Sequence, residues 1–184
     1  MALLLVLQLN ELSLKLSIVA VFLAVSYPFM KRVTHLPQAY LGMAFGWSIP
    51  MAFAAQSGEL PTAVWLLFLA NICWTVAYDT MYAMVDRDDD VKIGVMSTAI
   101  LFGSNDRLII GLLQLSTLAL LIWVGLIFER SMYYFSALLF ASFFFIYQQW
   151  LIADRDAKQC FQAFLNNNWF GAVVFIGLLL DFLP

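Results

Sequence analysis

Charge is what this sequence has least of. Of its 184 residues, 9 are Lys or Arg and 12 are Asp or Glu, so 11% of the chain is charged while 64% is hydrophobic. Histidine occurs once, at His35, in a loop beside Pro37 with no second ligand near it in sequence, and a histidine-based metal centre is not expected. Cysteine occurs twice: Cys73 falls inside an apolar run and Cys160 in a predicted loop, without the CxxC or Cys/His spacing of a zinc or redox site, so both read as packing residues. The short apolar run Ala2 to Leu9 lacks the basic flank of a signal peptide and is too short to span a bilayer. Nor is there a low-complexity stretch, a linker or a second composition zone, so residues 1–184 read as a single membrane domain with no nucleic-acid partner.

What the chain has is oily length. Its mean hydropathy of +0.88 exceeds what one soluble core of this size could bury. A spanning helix needs roughly 20 mainly apolar residues. Six stretches qualify: Leu14 to Met30, Gln38 to Ala55, Thr62 to Val85, Leu108 to Phe128, Met132 to Ile152 and Asn168 to Leu183. The runs are continuous, without the ten-residue alternation of barrel strands, so the expected fold class is all-α, a multi-pass transmembrane helical bundle. Pro50 is expected to kink its span. Trp65, Trp123, Trp150 and Trp169 are expected towards span ends, and Asn166 to Asn168 ("NNN") as a helix N-cap.

Alternating helices place Lys31, Arg32, Arg87, Lys92, Arg107, Arg155 and Lys158 on one side and only Lys15 and Arg130 on the other. The basic side is expected to be cytoplasmic.

Against this background "DTMYAMVDRDDDVKIG", Asp79 to Gly94, stands out with five aspartates. At about 100° per residue, Asp86 and Asp90 fall within about 20° of Asp79, so the three share one stripe if the helix runs on to Asp90. Asp88 and Asp89 point elsewhere and read as a solvated cap. Asp86 and Asp90 are open to two readings, a helix cap or a cation site. Asp79 lies two turns deeper, where an ionised carboxylate costs several kcal/mol unless paired, metal-bound or hydrated. Carboxylates stacked on one face repel, and a hard oxygen site open to water suits Mg²⁺ bridged to phosphate groups. In "YPFMKR", Tyr27 and Lys31 are four apart and share a helix face. Arg87 and Lys92 flank the acids. This set fits a phosphate-bearing substrate, although a basic pair after a membrane helix also serves as a topology signal.

These segments resemble the UbiA superfamily of intramembrane aromatic prenyltransferases. "DTMYAMVDRDDDVKIG" looks like its second aspartate-rich motif, with Asp86 and Asp90 as the DxxxD pair, and "YPFMK" is similar to its YxxxK motif. "YPFMKRVTHLPQAYLGMAFGWSIPMAFAA" and "FLNNNWFG" extend the likeness through essentially the whole chain, closest to the branch that prenylates 4-hydroxybenzoate. The resemblance implies Mg²⁺-dependent transfer of a polyprenyl group from polyprenyl diphosphate to the ring carbon ortho to the 4-hydroxybenzoate hydroxyl, in ubiquinone biosynthesis at the bacterial inner (plasma) membrane. It implies metal binding by Asp86 and Asp90, diphosphate binding by Lys31, Tyr27, Arg87 and Lys92, and for Asp79 the positioning of the aromatic substrate or of a metal-bound water.

One departure is marked. The family carries nine helices and a first motif of NDxxDxxxD type, whereas the only acids before Asp79 here are Glu11 and Glu59. The likeness begins partway through the family's third helix, which leaves a fragment, a misassigned start or a native truncation as its sources. Other functions compete with the resemblance. A CDP-alcohol phosphotransferase needs DGxxAR upstream of GxxxDxxxD, and neither is present. A cation transporter would hold acids at the midplane of neighbouring helices, not gathered at one end. A non-catalytic subunit that borrows the missing motif from a partner chain stays open.

Overall fold

The computed structural model describes residues 2–183, and among the described residues there is helix but no strand. A short helix α1 (Ala2–Val6) leads to α2 (Glu11–Ser26), whose first turn is capped by the Asn10 side chain accepting from the Ser13 N–H at 2.9 Å. Pro28 cannot donate to the preceding turn, and the chain tightens into a 3₁₀ turn over Tyr27–Arg32.

The stretch predicted as one span from Gln38 to Ala55 is two ten-residue helices, α3 (Pro37–Gly46) and α4 (Ser48–Ser57), broken at Trp47. The cause is Pro50, which lacks the N–H that the Gly46 carbonyl would accept and whose ring crowds it. Gly46 is fixed by a second constraint: a Cβ there would lie 2.7 Å from Asn71 Nδ2 on the next helix. Close approach lets Asn71 donate to the Gly42 carbonyl at 3.1 Å.

That next helix, α5 (Thr62–Ile93), runs 32 residues without interruption, past the predicted end at Val85. It is about 48 Å long against a hydrocarbon core of about 30 Å, so its acidic final turns extend beyond the apolar layer. Gly94, in the left-handed region at φ 72°, closes it by donating to the Asp90 and Val91 carbonyls. After α6 (Thr98–Phe102) and a 3₁₀ turn at Gly103–Asn105 come α7 (Asp106–Ile127), α8 (Met132–Leu151) and α9 (Ala157–Phe182).

The start of α9 corrects three expectations. Asp156 is the cap, its side chain accepting from the Gln159 N–H at 3.0 Å, so Asn166 to Asn168 and Trp169 lie in mid-helix, and Cys160 is a buried helical residue. A polar run is tolerated because two of its asparagines have partners elsewhere. Asn166 accepts from Gln148 at 3.0 Å, and Asn167 accepts from the Trp74 indole at 3.0 Å while donating to the Ala163 carbonyl.

Helices α5, α7, α8 and α9 pack together around Met81, Met84, Ile110, Ile152 and Ala163 at one level, and around Leu121, Leu138, Phe145 and Phe170 at another. Phe145 and Phe170 stack at 4.2 Å. Among the described residues, four stretches are long and apolar enough to cross a membrane: Glu11–Arg32, Thr62–Ile93, Thr98–Ile127 and Ala157–Phe182. The predicted span at 132–152 forms α8, whose last turn carries the buried amide of Gln148, bonded to Gln114 of α7 at 2.8 Å. The apolar side chains of α2, among them Ile18, Val21, Phe22 and Val25, face outward, as lipid-facing residues do. The chain is thus a multi-pass helical membrane protein.

Candidate functional site

The unbroken α5 meets the condition set for the aspartate stripe. Asp79, Asp86 and Asp90 follow one face of a single helix, while Asp88 and Asp89 are exposed beside it. Asp89 is engaged with Lys92 at 2.8 Å in an exposed pair, so Lys92 lies at the surface and not over the stripe. Asp79 and Asp86 are half-buried, and Asp90 is only 5% exposed.

The 3₁₀ turn of residues 27–32 is brought against this face by backbone: the Met96 N–H, in the loop after α5, donates to the Lys31 carbonyl at 2.8 Å. The half-buried Lys31 thereby lies near enough for its charge to act on both Asp79 and Asp90, and Tyr27 is within electrostatic reach of Asp79 and Tyr78. Buried polar contacts hold the frame. Gln38 of α3 accepts from the Thr98 N–H at 3.0 Å, and the Thr98 and Thr80 hydroxyls share a hydrogen bond at 2.6 Å. Removing one partner would leave the other buried and unsatisfied, which costs about 1–3 kcal/mol.

Arg87 is turned away from the stripe. It pairs with Asp106, a fully buried carboxylate at the start of α7 that also takes Arg155 at 2.8 Å and the Arg107 N–H at 2.6 Å. Arg155 reaches it from the α8–α9 loop with its backbone at φ 56°, a region non-glycine residues rarely occupy. Its hydrogen bonds to Asp106 push the guanidinium pKa above the usual arginine value. Three separate segments converge on one carboxylate there, and sequence reading missed it, because "FGSNDR" carries only the signal of a turn.

The donor set for a metal is incomplete but has the right chemistry. Asp90 Oδ2 is buried with no hydrogen-bond partner, an orphan that a cation would satisfy. Among the described residues, no group of three or more His, Cys, Asp or Glu could hold a metal ion. Two carboxylates one turn apart do not close a cage. They suit an ion completed by water and phosphate oxygens.

Comparison with known proteins matches this arrangement to one family. The model of the UbiA prenyltransferase family covers residues 1–176. The chain is 63% identical over 180 residues to a 4-hydroxybenzoate octaprenyltransferase of Cronobacter sakazakii, covering 98% of this chain and 62% of that one. A protein of the same name from Photobacterium profundum is 59% identical over 177 residues, covering 96% and 62%. The chain therefore spans somewhat under two thirds of the length of these curated relatives. Among solved structures, the apo UbiA homolog from Aeropyrum pernix K1 superposes with a TM-score of 0.81 at 24% identity, over 95% of this chain and 66% of that one, a likeness of fold. On the family model and these relatives together, the chain belongs to the UbiA prenyltransferase family.

Proposed function

We propose that the protein containing this chain transfers a polyprenyl group from polyprenyl diphosphate to the ring carbon ortho to the hydroxyl of 4-hydroxybenzoate, a step of ubiquinone biosynthesis. The single observation that carries the reading is the buried, unpartnered Asp90 oxygen on the same helix face as Asp86, with Lys31 beside it. Asp86 and Asp90 would hold Mg²⁺, which when bound supplies charge to neutralise a leaving diphosphate.

The chain's residues divide the remaining work. Lys31 and Tyr27 bind diphosphate oxygens from the 3₁₀ turn. Lys92, exposed at the helix end, adds long-range positive charge. Arg87, anchored by Asp106 beside the stripe, adds positive charge for the diphosphate at the acidic end of α5. As the C1–O bond breaks, its electron pair leaves with the diphosphate, and the allylic cation is attacked by the ring carbon, which then loses its proton. Asp79, deeper on the stripe, orients the aromatic acceptor or a metal-bound water. Apolar helix faces take the prenyl tail and exclude water that would quench the cation to an alcohol.

The active face lies on the basic side of the bundle, which we assign to the cytoplasm of a bacterial inner membrane, with residues 1–184 as one membrane domain. The test is transfer in membranes of the native host, with labelled 4-hydroxybenzoate and polyprenyl diphosphate, alongside the intact mass of the protein. Labelled lipid that forms only with Mg²⁺ is expected. Equal product after chelation would remove the metal from the reading.

A further inference from the structure

A groove of about 760 Å³ runs between α7 and α8, and its walls come from those two helices alone. Its origin is local. At one end the helices pack tightly, since a Cβ on Gly125 would lie 2.5 Å from the Tyr134 ring. Towards the basic end they are bridged by long side chains: Gln149 donates to the Gln114 side chain at 3.1 Å, and Arg107 donates to the Gln149 carbonyl at 3.2 Å. A Cβ on Gly111 would meet only the Gln149 side chain there, at 3.5 Å, so space is left between the helices. Phe145 and Gln114 are buried at the base, while Leu108, Leu115 and Ile146 stand exposed along the edges.

Length and charge together select an occupant. From Arg107 to Leu118 the groove follows α7 for about 16 Å, close to half of a hydrocarbon core of about 30 Å, which is the depth of one leaflet. Its level in the membrane is marked by the exposed Trp150, stacked on Tyr147 beside Gln149, as aromatic residues stand at a lipid interface. Arg107 lies at the same level and is half-buried. Among the described residues it forms no ion pair, because the carboxylate of the preceding Asp106 is taken by Arg87 and Arg155, and its Nε is buried without a hydrogen-bond partner. A guanidinium so placed lacks an anion.

We infer that this groove holds one anionic phospholipid of the leaflet on the basic side, with an acyl chain between α7 and α8 and its phosphate accepting from Arg107. The site stands apart from the proposed prenyl transfer and does not depend on it. A neutral lipid would fill the apolar length but leave the guanidinium without a counter-charge, and a zwitterionic one brings its own cation to the same place.

Native mass spectrometry tests this on the complete gene product, taken from vesicles of phosphatidylglycerol and phosphatidylcholine in equal amounts. The wild type is expected to retain one phosphatidylglycerol in preference to phosphatidylcholine by about tenfold, the scale of one charge-assisted contact. Arg107→Gln should abolish the preference. Lys158→Gln, which removes an exposed charge on the same side, should leave it unchanged. Gly111→Leu, which places a side chain in the groove, should release the lipid. A wild type without preference overturns the site, and equal effects of Arg107→Gln and Lys158→Gln do the same by showing diffuse surface charge. A lipid-free dimer would also overturn it, since a second copy would then cover the groove. Should Arg107→Gln fail to accumulate in membranes, Gly111→Leu decides: loss of the lipid supports the site and undiminished retention of phosphatidylglycerol overturns it.

Discussion

Asp106 and Arg155 are joined across 49 residues of sequence, the guanidinium donating from Nε and Nη2 to both carboxylate oxygens at 2.8–3.1 Å. The carboxylate is fully buried and has Arg87 as its second cation, so the pairing ties the acidic end of α5 to the start of α7 and the α8–α9 loop. Asp106→Asn would leave two guanidinium groups short of a counter-charge. A loss of roughly 2–3 kcal/mol is expected, below that of a fully enclosed pair because Arg155 reaches water. A thermal melt in detergent reads it, and a variant that melts with the wild type would remove the cluster from the stability of the fold.

Asp86→Asn and Asp90→Asn address the proposed metal site. Each is expected to lower transfer about 10²–10³-fold, the scale seen when one preorganised electrostatic contact to a developing charge is removed. Asp88→Asn and Asp89→Asn, on exposed side chains, should stay close to wild type. Activity retained in both stripe variants is the result that sinks the claim.

Lys31→Met tests the proposed diphosphate contact. A charge-assisted hydrogen bond contributes about 1.5–3 kcal/mol, so the KM for polyprenyl diphosphate should rise about 10–100-fold. Lys92→Met, which breaks only an exposed pair with Asp89, should alter it less than threefold at physiological salt. Equal effects from the two lysines would mean that the ammonium acts only as diffuse charge.

Gly177→Ala probes packing between α8 and α9, away from the aspartate stripe of α5. A Cβ at 177 would lie 2.1 Å from the Ala137 Cβ, so α8 and α9 must separate locally. Overpacking of this kind costs about 1–3 kcal/mol. A lowered melting temperature is expected, with an unchanged KM for both substrates in the fraction that remains folded.

Much of this was legible in the sequence, for identifiable reasons. Apolar runs of bilayer length reveal helices in lipid because the backbone there has few other ways to satisfy itself, and the break near Pro50 follows from a missing N–H. The aspartate stripe was legible because helical periodicity is local. The start of α9 was not: "AKQCFQAFLNNN" has loop composition, and only the distant partners Trp74 and Gln148 make its amides acceptable inside a helix. Asp106 was hidden for the same reason, its two arginine partners lying 19 and 49 residues away. The roles of Arg87 and Lys92 depend on which carboxylate each one meets, and neighbourhood in sequence does not decide that.

Helix α5 contains no glycine or proline between Thr62 and Ile93. A rod without a hinge works as a gauge: from Tyr78 to Asp90 it spans roughly 18 Å along its axis, and nothing within it can shorten or stretch that interval. In the proposed reaction, a donor whose diphosphate is held at Asp86 and Asp90 would present its cleavable bond at one height, whatever the length of its tail.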